Sequence, residues 1–234
     1  MEHLSQSNLP DGVALSALAS LGTGVGAVPV LAVRDLSERW RALLLSIGGG
    51  IMVSAAAFSL LLPAFSLSGS GLPVVVVLAV GALLIYGLEQ GLPADEGSRL
   101  GLFVAAIALH HFPEGLAVGL GAEAGHSLDV AIGVGLQNLP EGLMVALALR
   151  QLGYGAALAL ALATVSGWLE PLGGLVGSLL SPAVAPLGMA LAAGAMLYVV
   201  AHELLPSLNL RQVNNAAGLA TGLVVMGAVQ QIVG

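Results

Sequence analysis

Two short blocks in an otherwise apolar chain carry the residues that could do chemistry. HHFPEGLAVGL occupies 110–120 and QNLPEGLMVAL occupies 137–147, with Pro, Glu, Gly, Leu, Val and Leu at matching positions. At about 100° of turn per residue, His110 and Glu114, four apart, stack on one helix face, and His111 lies three from the same carboxylate. Gln137 and Asn138 bear the same relation to Glu141. Pro113 and Pro140 cannot donate to the carbonyls of Leu109 and Leu136, so each helix is predicted to bend and present a bare carbonyl beside its polar residues. A duplicated kinked helix would account for Pro and Gly, but not for Glu.

Glu170, in SGWLEPLGG, adds a third carboxylate, again beside a proline. An ionised carboxylate in mid-span costs about 3 kcal/mol, and three of them about 9 kcal/mol by simple addition. Protonation is one way to remove that cost, and a cation is the other. A divalent metal is the economical answer, because imidazole nitrogen, carboxylate oxygen and amide oxygen together suit a borderline ion such as Zn²⁺, Fe²⁺ or Mn²⁺. Several carboxylates around two histidines could hold more than one ion. A single buried His or Glu is as well explained by a proton relay or a packed polar pair. The doubled block with Glu170 favours metal.

The elements that must position these residues are membrane spans. The chain of 234 residues is 57% hydrophobic and 8% charged, with a mean hydropathy of +0.99. That is too little polar residue to coat a water-facing surface. Few aromatics and long apolar runs predict a helical bundle rather than a barrel. Eight spans are expected, at about 12–33, 42–65, 72–91, 99–121, 127–150, 154–180, 183–205 and 212–233. Arg34, Arg39, Arg41, Arg99, Arg150 and Arg211 then all fall in or beside alternate links, on one side of the membrane. By the positive-inside rule that side is the cytoplasm, and both termini lie outside. One transmembrane domain, 1–234, accounts for the whole chain. Six Arg and no Lys exclude a phosphate-binding face for nucleic acid. The absence of Cys excludes thiolate ligands. No basic stretch precedes the first span, as a cleaved signal peptide would require.

With these motifs in place, the sequence resembles the ZIP family of divalent metal transporters, in particular its GufA-type bacterial branch. The resemblance rests on HHFPEG, on QNLPEG, on Glu170-Pro171 and on His202-Glu203 in span seven, and it covers essentially the whole chain. It implies an all-α, eight-helix 3+2+3 bundle, with spans 1–3 related to 6–8 by an inverted repeat. It also implies uptake of zinc, with iron, manganese or cadmium as alternative cargo, into the cytoplasm across the inner membrane. The implied site holds two ions between helices 4, 5 and 6. One position would use His110, Glu114, Glu141 and Gln137, and Met52 from span two would add a thioether. The other would use His111, Asn138, Glu141 and Glu170, with Glu114 and Glu141 bridging. His111 stands where the family usually has Asn, and Asn138 where bacterial relatives often have Asp. Together they exchange a carboxylate for neutral ligands.

His202 and Glu203 are candidates for an exit pair or for a polar helix end. Glu89 reads as interfacial, and Glu123, His126 and Asp129 as a solvated outer turn. The partners expected are divalent metal ions and membrane lipid, and a homodimer is left open. Two rival functions belong to other classes. An intramembrane zinc hydrolase would also gather His and carboxylates, but HELLP at 202–206 is not H-E-x-x-H. A proton-coupled solute carrier would use the glutamates as a relay.

Overall fold

The computed structural model describes residues 9–91, 111–121, 127–181, 183–207 and 211–233. Within them all regular structure is helical. Helix α1 (Leu9–Ala27) runs into a 3₁₀ turn, Val28–Leu31. Helix α2 (Glu38–Ser54) widens into a π-helical stretch, Ala55–Leu61, and continues as α3 (Leu62–Ser68). Gly69, at φ 65°, turns the chain into α4 (Gly71–Gln90). Helix α5 (111–121) carries the first block from His111 onward, and α6 (Ser127–Gln151) carries the second. Helices α7 (Ala156–Ser166) and α8 (Leu169–Leu179) are separated by a break at Gly167-Trp168. Helix α9 (Ala185–Val199) passes through a second π-helical stretch, Val200–Leu204, into α10 (Leu205–Ser207), and α11 (Val213–Val233) follows.

Proline explains where these helices depart from regularity. A proline at position i leaves the carbonyl at i−4 without its donor, and its ring crowds that carbonyl. The carbonyl so affected by Pro63 is that of Ser59, inside the first π-helical stretch, and the one affected by Pro206 is that of His202, inside the second. Pro171 acts on Gly167, where α7 ends and α8 has yet to start. Widening the turn, or breaking it, relieves the contact. Pro140 behaves differently, because α6 remains helical straight through it.

Among the described residues, six helices are long and apolar enough to cross a membrane: Asp11–Leu31, Glu38–Ser68, Gly71–Gln90, Leu128–Gln151, Ala156–Leu179 and Ala185–His202. Their surroundings are the inverse of a water-soluble protein. Leu72, Leu83, Val213 and Ile232 lie on the outside, and so does Trp168, which is 68% exposed. His111, Glu114, Asn138 and Glu170 lie fully inside. An exterior of this kind suits hydrocarbon. In several helix pairs the backbones meet with no side chain between them. A β-carbon added to Gly81 would meet the Leu191 carbonyl at 2.1 Å, and one on Gly194 would meet that of Leu78 at 2.0 Å, which locks α4 to α9. Gly50 and Gly222 do the same for α2 and α11. Small residues permitting such approach are the usual basis of helix packing in membranes.

Candidate metal centre

The first and second blocks meet α8 in the interior. His111, Glu114 and Glu170 each offer one metal-binding atom, and these atoms all lie within 4.8 Å of one another. The His111 ring nitrogen Nδ1 stands 3.2 Å from Glu114 Oε2 and 3.1 Å from Glu170 Oε1. The amide of Gln137 donates to Glu114 Oε1. Asn138 Nδ2 donates to Glu170 Oε1 at 2.8 Å and to the backbone carbonyl of Ala19 on α1 at 3.1 Å. Glu141 is half-buried and interacts electrostatically with both His111 and Glu170.

Each element has a physical reason to stand where it does. Glu170 lies one residue beyond the start of α8, and its backbone amide bonds back to the Gly167 carbonyl at 3.1 Å across the break. Gly115 lets α5 touch α8, since a β-carbon there would lie 1.9 Å from the Glu170 carbonyl. Gly142, its counterpart in the second block, lets α6 touch α1 at the Thr23 carbonyl. The glycine of each PEG block thus sets how closely its glutamate's helix approaches the neighbouring backbone.

The donor chemistry fits a metal ion. Zinc binds nitrogen and oxygen at about 2.0–2.2 Å, so neighbouring ligands of a tetrahedral ion lie about 3.3–3.5 Å apart. The two separations at His111 Nδ1 are hydrogen-bond distances lying a few tenths of an ångström under that edge, so an ion could take the place of the Nδ1 proton with little movement. At the centre, three buried oxygens have no hydrogen-bond partner among the described residues: Gln137 Oε1, Asn138 Oδ1 and Glu170 Oε2. Leaving such atoms unsatisfied is costly in a protein interior.

The structure therefore brings together His111, Glu114, Gln137, Asn138 and Glu170, with Glu141 beside them. His110 and the side chain of Glu203 lie outside the described residues. Met52 packs in an apolar cluster with Ile85, Ala195, Val199 and Val200. His202 belongs to a different polar group. Its ring stacks on Tyr198 at 5.0 Å between centroids, and its Nδ1 is 3.9 Å from Glu89 Oε2. Tyr198 donates its hydroxyl to that same carboxylate at 2.8 Å. Asp129 corrects an expectation, since it is 3% exposed at the first turn of α6 instead of lying in a solvated turn. Glu123 and His126, read with it, lie outside the described residues. Sequence reasoning missed the Ala19 carbonyl, and no residue-type signal could have found a backbone atom. It also missed the break ahead of Glu170, for which Pro171 was the available signal.

Helices of membrane-crossing length around a buried imidazole–carboxylate cluster define a multi-pass membrane protein with a candidate cation site in its interior. The family model described as the ZIP zinc transporter matches residues 97–230. The zinc transporter GufA of Myxococcus xanthus is 38% identical over 222 residues, covering 83% of this chain and 87% of that protein. Zinc transporter ZIPB of Bordetella bronchiseptica is 36% identical over 232 residues, covering 87% and 75%. Zinc transporter ZupT of Chlorobium luteolum is 33% identical over 257 residues, covering 94% and 97%. The chain belongs to the ZIP zinc transporter family. Members of that family are transporters, not enzymes, which sets the hydrolase alternative aside.

Proposed function

We propose that this protein carries divalent transition metal, zinc first, into the cytoplasm through the His111–Glu114–Glu170 region. The observation that carries the reading is that cluster, an imidazole nitrogen and two carboxylate oxygens buried within reach of one ion, beside oxygens that have no hydrogen-bond partner among the described residues. Its relatives' description as zinc transporters supports zinc as the cargo. Iron, manganese and cadmium are the cargoes the same donor set would also accept. We assign Glu114, Glu141, Glu170, His111 and Gln137 to the ion path, with His110 and Met52 on its first side and His202 and Glu203 at its inner end. Two adjoining ions bridged by Glu114 and Glu141 fit that assignment.

The single domain 1–234 would cross the inner membrane eight times with both termini outside, as the arginine distribution favours. The 3+2+3 layout gains support from the two π-helical stretches. They fall in the expected spans two and seven, which an inverted repeat of spans 1–3 and 6–8 would pair. A homodimer in the membrane is compatible with this arrangement.

The test is zinc flux into proteoliposomes. Glu141→Ala is expected to abolish uptake, and Glu114→Ala to reduce it severely. Wild-type flux through either variant would defeat the site assignment. Proton-driven movement of an organic solute with no metal flux would instead favour the solute carrier.

A further inference from the structure

We infer, resting on the metal-carrier reading, that Asn138 is a positioning residue that holds Glu170 for the ion and is not itself a ligand, whereas its neighbour Gln137 can ligate. The difference lies in what fixes each amide. A side-chain amide can present either its N–H pair or its oxygen to a given point by turning over, and its neighbours decide which. Among the described residues, Gln137 Nε2 meets one acceptor, Glu114 Oε1. When an ion occupies that carboxylate, the Gln137 amide can turn and offer Oε1 in place of its N–H pair, at the expense of one bond.

Asn138 has no such freedom. Its Nδ2 meets two acceptors on two different helices, the Ala19 carbonyl at 3.1 Å and Glu170 Oε1 at 2.8 Å. Turned over, Oδ1 would face the Ala19 carbonyl, acceptor against acceptor, and that carbonyl belongs to a backbone that cannot rotate. The amide is therefore pinned with its N–H pair toward Glu170. In this orientation the group that faces Glu170 Oε1 is a donor, and presenting Oδ1 there instead would give up the bonds to Glu170 and to Ala19 together. Asn138 instead ties Glu170 to α1 and aims Oε1 at His111 Nδ1, 3.1 Å away.

The conservative substitution Asn138→Asp tells the two roles apart by sign. For a ligand, a carboxylate in place of an amide oxygen strengthens zinc binding. For a positioning donor, aspartate removes both N–H groups and sets an oxygen against the Ala19 carbonyl and Glu170. We expect zinc affinity, measured by calorimetry on the purified full chain in detergent, to fall about tenfold, as the loss of buried hydrogen bonds implies. Gln137→Glu, made in parallel, is expected to hold or raise affinity. Tighter binding by Asn138→Asp overturns the assignment while leaving the carrier reading intact. Failure of the wild-type protein to bind zinc at all overturns both. An anomalous zinc map of wild-type crystals decides the matter should Asn138→Asp not fold. An ion more than about 3 Å from Asn138 Oδ1 supports the inference, and one at the bonding distance of about 2.0–2.2 Å refutes it.

Discussion

The sharpest prediction concerns a residue that binds nothing. Gly115 has no side chain, and a methyl group there would fall 1.9 Å from the Glu170 carbonyl oxygen, 2.5 Å from its carbon and 2.6 Å from the Glu170 Cα. All three are backbone atoms, so no side chain can swing aside. To reach the 3.4 Å at which ordinary contact begins, α5 and α8 must part by about 1.5 Å. His111 rides on α5 and Glu170 on α8, with Nδ1 and Oε1 now 3.1 Å apart. Displacement along that line opens the gap past about 4.2 Å, the widest separation two donors on opposite sides of one zinc ion can have. Overpacking of this kind costs about 1–3 kcal/mol of stability. Displacing a supporting contact at a metal site weakens binding by about ten- to a hundredfold. Gly115→Ala is therefore expected to keep its helical circular dichroism, to melt at a lower temperature and to bind zinc at least about tenfold more weakly by calorimetry. Gly227→Ala on α11 is the control, because a β-carbon there meets nothing within 4 Å. That variant is expected to melt no lower than the parent and to bind zinc equally well. Wild-type zinc affinity in Gly115→Ala would refute the claim that close α5–α8 contact builds the centre.

Two further predictions concern the ion itself. Ligating imidazole and carboxylate groups must be deprotonated, so zinc binding releases protons and affinity rises with pH. With both membrane faces at the same pH, initial uptake at subsaturating zinc is expected to fall from about pH 7.5 to about pH 5.5; a rise on acidification would contradict the assigned donors. Zinc at a hundred times its dissociation constant should stabilise the folded protein by about 2.7 kcal/mol, seen as a raised melting temperature that chelation reverses. Glu170→Gln should lose most of that increment, and an undiminished shift would place the ion elsewhere.

Much of the centre was legible in the chain because side-chain type and helical spacing carry it. The doubled PEG block and Glu170 stood out as polar residues in apolar runs, and His111, Glu114, Gln137, Asn138 and Glu170 do converge. Helix edges followed the apolar runs closely, with α4 and α6 within a residue or two of expectation. What escaped depends on atoms that residue type does not specify. The orientation of the Asn138 amide is decided by a carbonyl on α1, more than a hundred positions away in the chain. Burial of Asp129 and exposure of His202 depend on which helices pack nearby, and polarity alone pointed the wrong way for Asp129. Proline was expected to bend the blocks, and α6 is helical through Pro140 with no widened or broken turn there. The irregular turns came instead ahead of Pro63, Pro171 and Pro206.

The break before Glu170 also furnishes a native optical reporter. The chain has two tryptophans, and Trp168 sits on the lipid-facing side two residues from that carboxylate. Replacing Trp40 with phenylalanine leaves one emitter beside the centre. Its fluorescence, quenched by lipids labelled at known depths, would locate the break along the bilayer normal without attaching any foreign dye.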